Sequence, residues 1–194
     1  MPSPMSSPLT HGGRGAAKAF TLIELLTVIA VIGVLTAITF GVVRGVQDRA
    51  AIQQARVELS ALATALEAYK KHYGDYPRVT TTTGDTGSLQ LFQALNGQRG
   101  PTGADLDPRQ KAFLDAGLFT LEDPDADVTA DNRIVDPWGR PYRYLYNPAH
   151  TSWNKRPYLL FSLGPTTGSD DVDTMTDGVP KTDGAHADNI YANQ

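Results

Sequence analysis

The sequence contains no cysteine among its 194 residues, and it is poor in basic residues. The missing cysteine excludes a disulfide bond, a thiolate nucleophile and a cysteine-ligated zinc site. The 17 Lys and Arg are outnumbered by 21 Asp and Glu, which gives a formal net charge of −4, and no stretch interleaves basic with aromatic residues. A phosphate-binding surface is therefore poorly supported, and we expect no nucleic acid partner.

The chain also lacks the short motifs of common enzyme classes. It has no G-x-S-x-G, no H-E-x-x-H and no P-loop sequence. His72, His150 and His186 stand apart from one another, and each is expected at the surface. We therefore expect no catalytic residues. A signal-anchored periplasmic enzyme or binding protein, with a site assembled only by the fold, is the alternative from a different functional class.

One long apolar run extends from 20 to 43. Its 24 residues contain a single charge, Glu24, and a helix of this length, at about 1.5 Å per residue, spans a hydrocarbon core of roughly 30 Å. We predict a transmembrane helix here. Residues 1–19 contain Arg14 and Lys18 but no acidic residue, together with three prolines and three glycines. This composition predicts an unstructured, processed leader, and an ordinary signal anchor is the alternative.

Glu24 is costly where the sequence places it, a few positions inside the apolar run. A charged residue within a membrane helix costs about 2.5–3.5 kcal/mol on insertion scales, so such residues usually have a function. Glu24 is therefore expected to need a partner. A position close enough to the membrane surface for its carboxylate to reach water is the alternative.

From 44 to 74 the helical pattern continues but becomes amphipathic. Apolar residues recur at alternating spacings of three and four. They are Ile52, Ala55, Leu59, Leu62, Leu66, Tyr69 and Tyr73. This stripe predicts a helix that packs one face on a small sheet and ends at Gly74. A two-stranded coiled coil is the alternative, although the stripe covers only about three heptads.

Residues 75–194 are expected to form one modest globular domain. Apolar islands at 89–95 and 112–121 predict a short helix each. Tyr142–Tyr146 and Tyr158–Ser162 have the composition of strands, and the loop between them suggests an antiparallel pair. The sequence therefore predicts an α+β fold. A long N-terminal helix, transmembrane in its first half, packs on a small antiparallel β-sheet, and the C-terminus is rich in loops.

The stretch Lys18–Leu26, KAFTLIELL, strongly resembles the class III signal of type IV pilins and type II secretion pseudopilins. The resemblance implies that prepilin peptidase cuts between Ala19 and Phe20 and that Phe20 is then N-methylated. It also implies that Glu24 pairs with the amino terminus of a neighbouring subunit during filament assembly. The family usually has Gly before the cut, so Ala19 predicts slower processing at most.

Asp136-Pro137-Trp138-Gly139, followed by Ser162-Leu163-Gly164, is similar to the signature of the major, G-type pseudopilin. By its composition the first segment is a turn, with Trp138 expected as a lid on the core. The resemblance implies a pilin-like fold and a calcium-binding loop that begins after the second segment. Calcium suits oxygen ligands in an irregular loop, and a solvated acidic tail is the alternative.

The acidic residue that the family usually has soon after Gly164 is missing, because Pro165-Thr166-Thr167-Gly168 occupies that place. Aspartates later in the loop are expected to substitute for it. With the Leu163 carbonyl and the C-terminal Asp-Asn pair, the candidate calcium ligands are Leu163, Asp170, Asp171, Asp173, Asp188 and Asn189.

The resemblance implies a structural subunit that is polymerised into the periplasmic pseudopilus of a type II secretion system and promotes protein export. The expected partners are further copies of this chain, minor pseudopilins, prepilin peptidase and the inner-membrane assembly platform. We expect a single pass through the bacterial inner membrane, with the C-terminal domain in the periplasm. A type IV pilin or minor pilin, for adhesion, motility or DNA uptake, is the alternative. The absent cysteine disfavours it, because many such pilins close a loop with a disulfide.

Overall fold

The structure is a computed structural model, and it describes residues 21–79, 84–106, 109–126, 131–153, 157–165, 178–181, 184 and 187–192. Helix α1 covers Leu22–Tyr73 and helix α2 covers Gly84–Leu95. A short 3-10 helix lies at Ala116–Leu118. Strands β1, β2 and β3 cover Arg143–Leu145, Leu159–Ser162 and Ile190–Tyr191. The predicted α+β class is confirmed.

The chain divides into two compact units, Met1–Arg44 and Gly45–Gln194. In the first unit, the large apolar side chains of α1 from Leu22 to Leu35 are strongly exposed, from 51% for Val28 to 80% for Leu22. No helix in the described part of the chain combines the length and the apolar character needed to cross a membrane. The predicted leader, 1–19, lies outside the described residues, as do Phe20 and the side chains of 38–43 from the predicted transmembrane segment.

In the second unit, α1 buries the predicted apolar stripe. Ala55, Leu59, Leu62, Leu66 and Tyr69 are at most 1% exposed, while Ile52 and Tyr73 at its two ends are half-buried. The helix stops because Gly74 adopts a left-handed φ of 86° and donates its N–H to the Lys70 carbonyl at 2.7 Å. The predicted end at Gly74 is confirmed.

The sheet is antiparallel with the order β1-β2-β3. Arg143 is opposite Phe161 in the first pair, and Phe161 is in turn opposite Tyr191 in the second. The predicted pair of strands is confirmed, although each is shorter than the sequence indicated. The third strand was missed, because Ile190–Tyr191 is only two residues long and has no hydrophobic period to detect.

The main core is shared by both helices and the sheet. Leu59, Leu62 and Leu66 of α1 join Leu91, Phe92 and Leu95 of α2, and strand-region residues complete the cluster. These last residues are Tyr142, Tyr144, Tyr146, Tyr158 and Leu160. The predicted packing of the stripe against the sheet region is therefore confirmed, with α2 as an additional wall. Leu145, Leu159, Phe161 and Tyr191 form a second, smaller cluster.

The two predicted short helices had different outcomes. Helix α2 exists but begins at Gly84, five residues before the apolar island at 89–95. The helix lies close to β1, because a Cβ at Gly87 would lie 2.1 Å from the Tyr144 carbonyl oxygen and only glycine allows this approach. The predicted helix at 112–121 is wrong except for the 3-10 turn Ala116–Leu118, where Asp115 caps the Gly117 N–H and the chain then becomes extended.

Candidate functional site

The start of α1 places Glu24 in a reciprocal pair with Thr21. The Glu24 carboxylate accepts hydrogen bonds from the Thr21 N–H and hydroxyl, both at 2.9 Å, through its Oε2 atom. In return the Glu24 N–H donates to the Thr21 hydroxyl oxygen at 3.3 Å. This is a capping box, which satisfies backbone donors that the first turn of a helix otherwise leaves unpaired. Glu24 therefore has a local partner within its own chain.

Glu24 is surrounded by exposed apolar side chains. Leu22, Ile23 and Leu25 are 62–80% exposed, and Glu24 itself is exposed. Exposure of such a surface to water is unfavourable, and burial against another apolar surface is favourable. Ala19 and Phe20, the residues of the predicted cleavage site, lie outside the described residues.

The Asp-Pro-Trp-Gly turn is organised by Asp136, which is only 2% exposed. Its Oδ1 accepts the N–H groups of Trp138 at 3.0 Å and Arg140 at 2.9 Å. Its Oδ2 accepts the hydroxyl of Ser162 at 2.6 Å. A buried carboxylate that accepts three hydrogen bonds is well satisfied, so Asp136 ties the turn to the end of β2.

The predicted lid function of Trp138 is wrong. Trp138 is half-buried and is absent from the residues that pack against the two core clusters in the described part of the chain. Trp153 packs there instead, against both clusters. A Cβ at Gly178 would lie 2.9 Å from the Trp153 ring, so the ring also holds the chain that returns from the acidic loop.

The loop after β2 begins at a close contact with the C-terminal segment. Gly164 donates its N–H to the Ser162 hydroxyl oxygen at 3.0 Å and has a left-handed φ of 71°. A Cβ at this position would lie 2.0 Å from the Asp188 carbonyl oxygen, which only glycine permits. The structure thus brings Leu163–Gly164 against Asp188, the two ends of the predicted calcium loop.

The other predicted calcium ligands are Asn189 and three aspartates of the loop. Asn189 follows Asp188 and donates its side-chain N–H to the Tyr191 hydroxyl at 3.2 Å, while Asp170, Asp171 and Asp173 lie outside the described residues. Among the residues that are described, no three His, Cys, Asp or Glu side chains cluster as metal ligands would. The Asp188 atom that meets Gly164 is the main-chain carbonyl oxygen. Carbonyl and carboxylate oxygens are the hard ligands that calcium prefers. The calcium site therefore stays a prediction.

The role of Asp136 was missed at the sequence level, although a signal was present. In an Asp-Pro-x-Gly turn, the Asp side chain typically accepts the backbone N–H of the residue two positions later. The turn pattern was recognised, but nothing local indicated that the other carboxylate oxygen would meet Ser162, 26 residues further along the chain.

Comparison with known proteins identifies the family. Residues 14–40 match the prokaryotic N-terminal methylation motif. The chain is 30% identical to the type II secretion system core protein G of Pseudomonas aeruginosa over 151 residues, which are 78% of this chain and 85% of that protein. It is 30% identical to core protein G of Aeromonas hydrophila over 155 residues, 79% of this chain and 88% of that protein.

Similarity to pilins is more restricted. A fimbrial protein of Neisseria meningitidis is 31% identical over 74 residues, which are 38% of this chain and 44% of that protein. No solved structure matches the chain significantly. The long match to core protein G and the methylation motif agree with the residues that carried the resemblance. The chain therefore belongs to the type II secretion system core protein G family of pseudopilins, and it is a structural subunit rather than an enzyme.

Proposed function

We propose that this chain is cut between Ala19 and Phe20 by prepilin peptidase, N-methylated at Phe20 and polymerised into a periplasmic pseudopilus that promotes protein export. The observation that carries this proposal is the extent of the similarity to core protein G, 78% of this chain, compared with 38% for the fimbrial protein. A surface pilin is the second candidate and has only the shorter match in its favour.

We place the first half of α1 in the inner membrane before assembly and in the filament core afterwards, with the globular, pilin-like domain in the periplasm. The exposed apolar surface around Glu24 supports this proposal, because either environment covers it. Further copies of the chain are the main partners. Prepilin peptidase, minor pseudopilins and the inner-membrane assembly platform are the others.

Glu24 acts during assembly by exchanging partners. In the single chain its Oε2 accepts both Thr21 donors. In the filament, the new amino group of Phe20 from a neighbouring copy would supply a positive charge that Thr21 cannot. The ammonium group adds the attraction of opposite charges, which is strong where water is scarce, so the exchange favours correct registration of the subunits.

The test uses the full chain, expressed in its host in place of the native gene. Glu24→Ala is expected to be processed but to form few or no filaments, measured by chemical crosslinking and by recovery of sheared polymer. Thr21→Ser keeps a hydroxyl that can cap the helix and is the matched control, expected to assemble normally. Normal assembly of Glu24→Ala would contradict the proposed role.

Calcium is proposed as the ligand of the loop after β2. The Leu163 carbonyl and Asp188 would contribute oxygens from the described residues, and Asp170, Asp171 or Asp173 would complete the set. Bound calcium would supply positive charge that holds the acidic loop closed. The contact between Gly164 and Asp188 supports this proposal, since it fixes both ends of the loop.

Thermal unfolding of the purified chain in calcium, magnesium or chelator tests the site. Calcium is expected to raise Tm and magnesium to have little effect, because magnesium demands a tighter octahedral geometry. Asp188→Ala should abolish the calcium shift, while Asp125→Ala, an exposed carboxylate in another loop, should leave it unchanged. Equal Tm values in calcium and chelator would contradict the proposal.

A further inference from the structure

A basic groove lies beside the end of α1. It has a volume of about 340 Å³ and is lined by Ala68, Lys71, His72, Lys111 and Phe113. Both lysines are exposed, and neither forms an ion pair with any described residue. The groove therefore offers two cationic side chains above an apolar floor.

The floor of the groove is rigid. The Phe113 ring lies 5.5 Å from the His72 ring and 5.3 Å from the Tyr69 ring, and Tyr69 is fully buried. The Phe113 N–H donates to the Leu95 carbonyl at 2.7 Å, which fixes this segment to the end of α2. Lys111, two residues earlier, is thereby held on the same face as Lys71.

Favourable interaction with the helix dipole explains only some of the basic residues of the groove. Lys71 and His72 lie in the last turn of α1, where cations interact favourably with the helix dipole. Lys111 comes from a separate segment and has no such role. Two ammonium groups on one groove repel each other unless an anion joins them, so the arrangement favours an acidic occupant.

The same chain carries a matching surface. The segment 115–125 contains four carboxylates and no Lys or Arg. Asp115, Asp123 and Asp125 are exposed, and Leu118 is 76% exposed, an apolar side chain without cover. Because Leu118 is exposed, the segment does not fill the groove of its own chain.

We propose that the basic groove binds the acidic segment 115–125 of a second copy of this chain. Leu118 covers Ala68 and Phe113, and the carboxylates meet Lys71 and Lys111. The two surfaces are different, so the contact is heterologous and repeats from copy to copy. Heterologous contacts build closed rings or open helical filaments, and the proposed pseudopilus is the second case. The inference rests on the proposed polymerisation and adds the contact between globular domains.

Directed crosslinking tests this contact, since the chain has no cysteine of its own. The full-length double variant Lys111→Cys/Leu118→Cys is assembled in cells and treated with a short bis-maleimide reagent. We expect a ladder of dimers, trimers and longer products. Each single variant is the matched control and should give no ladder, because position 111 of one copy meets position 118 of the next.

Charge reversal gives an independent measurement, made in the chain without added cysteines. Lys71→Glu should lower the recovered polymer by about fivefold to tenfold, and Lys71→Arg should retain it. The reciprocal pair Lys71→Glu/Asp123→Lys should recover most of the loss. Thermal unfolding of each variant distinguishes lost contact from lost folding.

The outcomes separate this inference from the proposed function. If the unsubstituted chain forms filaments but the double variant gives no ladder and Lys71→Glu assembles normally, the groove contact is overturned and polymerisation stands. Crosslinks only to other proteins also overturn it. If the unsubstituted chain forms no filaments despite active prepilin peptidase, both are overturned.

Discussion

Asp136 accepts a hydrogen bond from the Ser162 hydroxyl at 2.6 Å, and both side chains are buried. The Ser162 oxygen in turn accepts the Gly164 N–H at 3.0 Å. One carboxylate thus connects the Asp-Pro-Trp-Gly turn with the glycine that contacts Asp188. The two segments that carried the G-type resemblance are therefore parts of one structural unit.

Asp136→Ala is expected to destabilise the globular domain by about 2–5 kcal/mol, because it leaves two backbone N–H groups and the Ser162 hydroxyl without their acceptor. Asp136→Asn keeps one oxygen at the same place and should cost less. Urea unfolding of the purified chain measures both. Equal stability of the alanine variant and the unsubstituted chain would refute this role for Asp136.

Protonation of Asp75 is expected to lower the stability of the folded chain at acid pH. Burial acts to raise the pKa of Asp75, but hydrogen bonds from the Tyr146 hydroxyl, the Tyr76 N–H and the Arg78 guanidinium outweigh it, and the net pKa is lowered. A lowered pKa in the folded chain gives stability that is present above the unfolded pKa of about 3.9 and is lost as pH falls through the folded value.

Tyr146→Phe removes the strongest of these hydrogen bonds, at 2.6 Å, without removing the carboxylate. The stability that this variant loses should be largest near neutral pH and should shrink below about pH 4, where Asp75 is protonated in the unfolded chain. Urea unfolding at a series of pH values tests this. A loss that is the same at every pH would show that Asp75 is not involved.

The buried tyrosines predict that the folded domain also loses stability at alkaline pH. Burial is the main cause that raises the pKa of Tyr144, which is fully enclosed, and burial with the Asp75 contact raises the pKa of Tyr146 to about 12. Because these values are raised in the folded chain, the stability is present below the unfolded pKa of about 10 and is lost as pH rises above it.

Absorbance of tyrosinate against pH, recorded together with circular dichroism, tests this prediction. We expect the phenols of Tyr142, Tyr144 and Tyr146 to ionise only as the domain unfolds. Tyr144→Phe should unfold at a higher pH than the parent chain, although it loses the hydrogen bond to the Pro77 carbonyl at 2.9 Å. Ionisation of all eight tyrosines near pH 10 with the fold intact would be the contrary result.

Gly87→Ala is expected to destabilise the domain, although alanine is the better helix former. The added Cβ would lie 2.1 Å from the Tyr144 carbonyl oxygen, so α2 must move away from β1, at a cost of about 1–3 kcal/mol. Gly100→Ala is the matched control, since its nearest neighbour is the Leu106 side chain at 3.5 Å. Thermal unfolding should show a lower Tm for Gly87→Ala alone.

The parts of the fold that follow a local period were predictable from the sequence. The stripe from Ile52 to Tyr73 has helical spacing, and burial follows it residue by residue from Ala55 to Tyr69. The end of the helix follows from Gly74, which alone adopts the left-handed conformation there without strain. Both features depend on residues that are close in sequence.

The features that were missed depend on distant residues. Strand β3 has two residues, and its pairing with Phe161 and Ser162 is what makes it a strand. The close approach of α2 to β1 depends on Gly87, which is distant in sequence from Tyr144. The oxygen of Asp136 that meets Ser162 is likewise set by tertiary packing. Neither propensity nor hydrophobic period contains this information.

For the candidate sites, the sequence indicated residues whose contacts only the structure shows. Glu24 was expected to need a partner, and the structure supplies Thr21, a neighbour three residues away that the spacing T-x-x-E predicts as a capping box. The contact of Gly164 with Asp188 could not be read from the sequence, because it joins positions 24 residues apart across a loop.

Intact mass and N-terminal sequencing of the membrane-extracted protein, from cells with and without prepilin peptidase, measure the proposed processing of the chain. Our prediction is that the peptidase removes residues 1–19 and that the mature chain begins at N-methylated Phe20, while cells without the peptidase retain residues 1–19. A chain that keeps its leader in the presence of active peptidase, or is cut at another position, would contradict it.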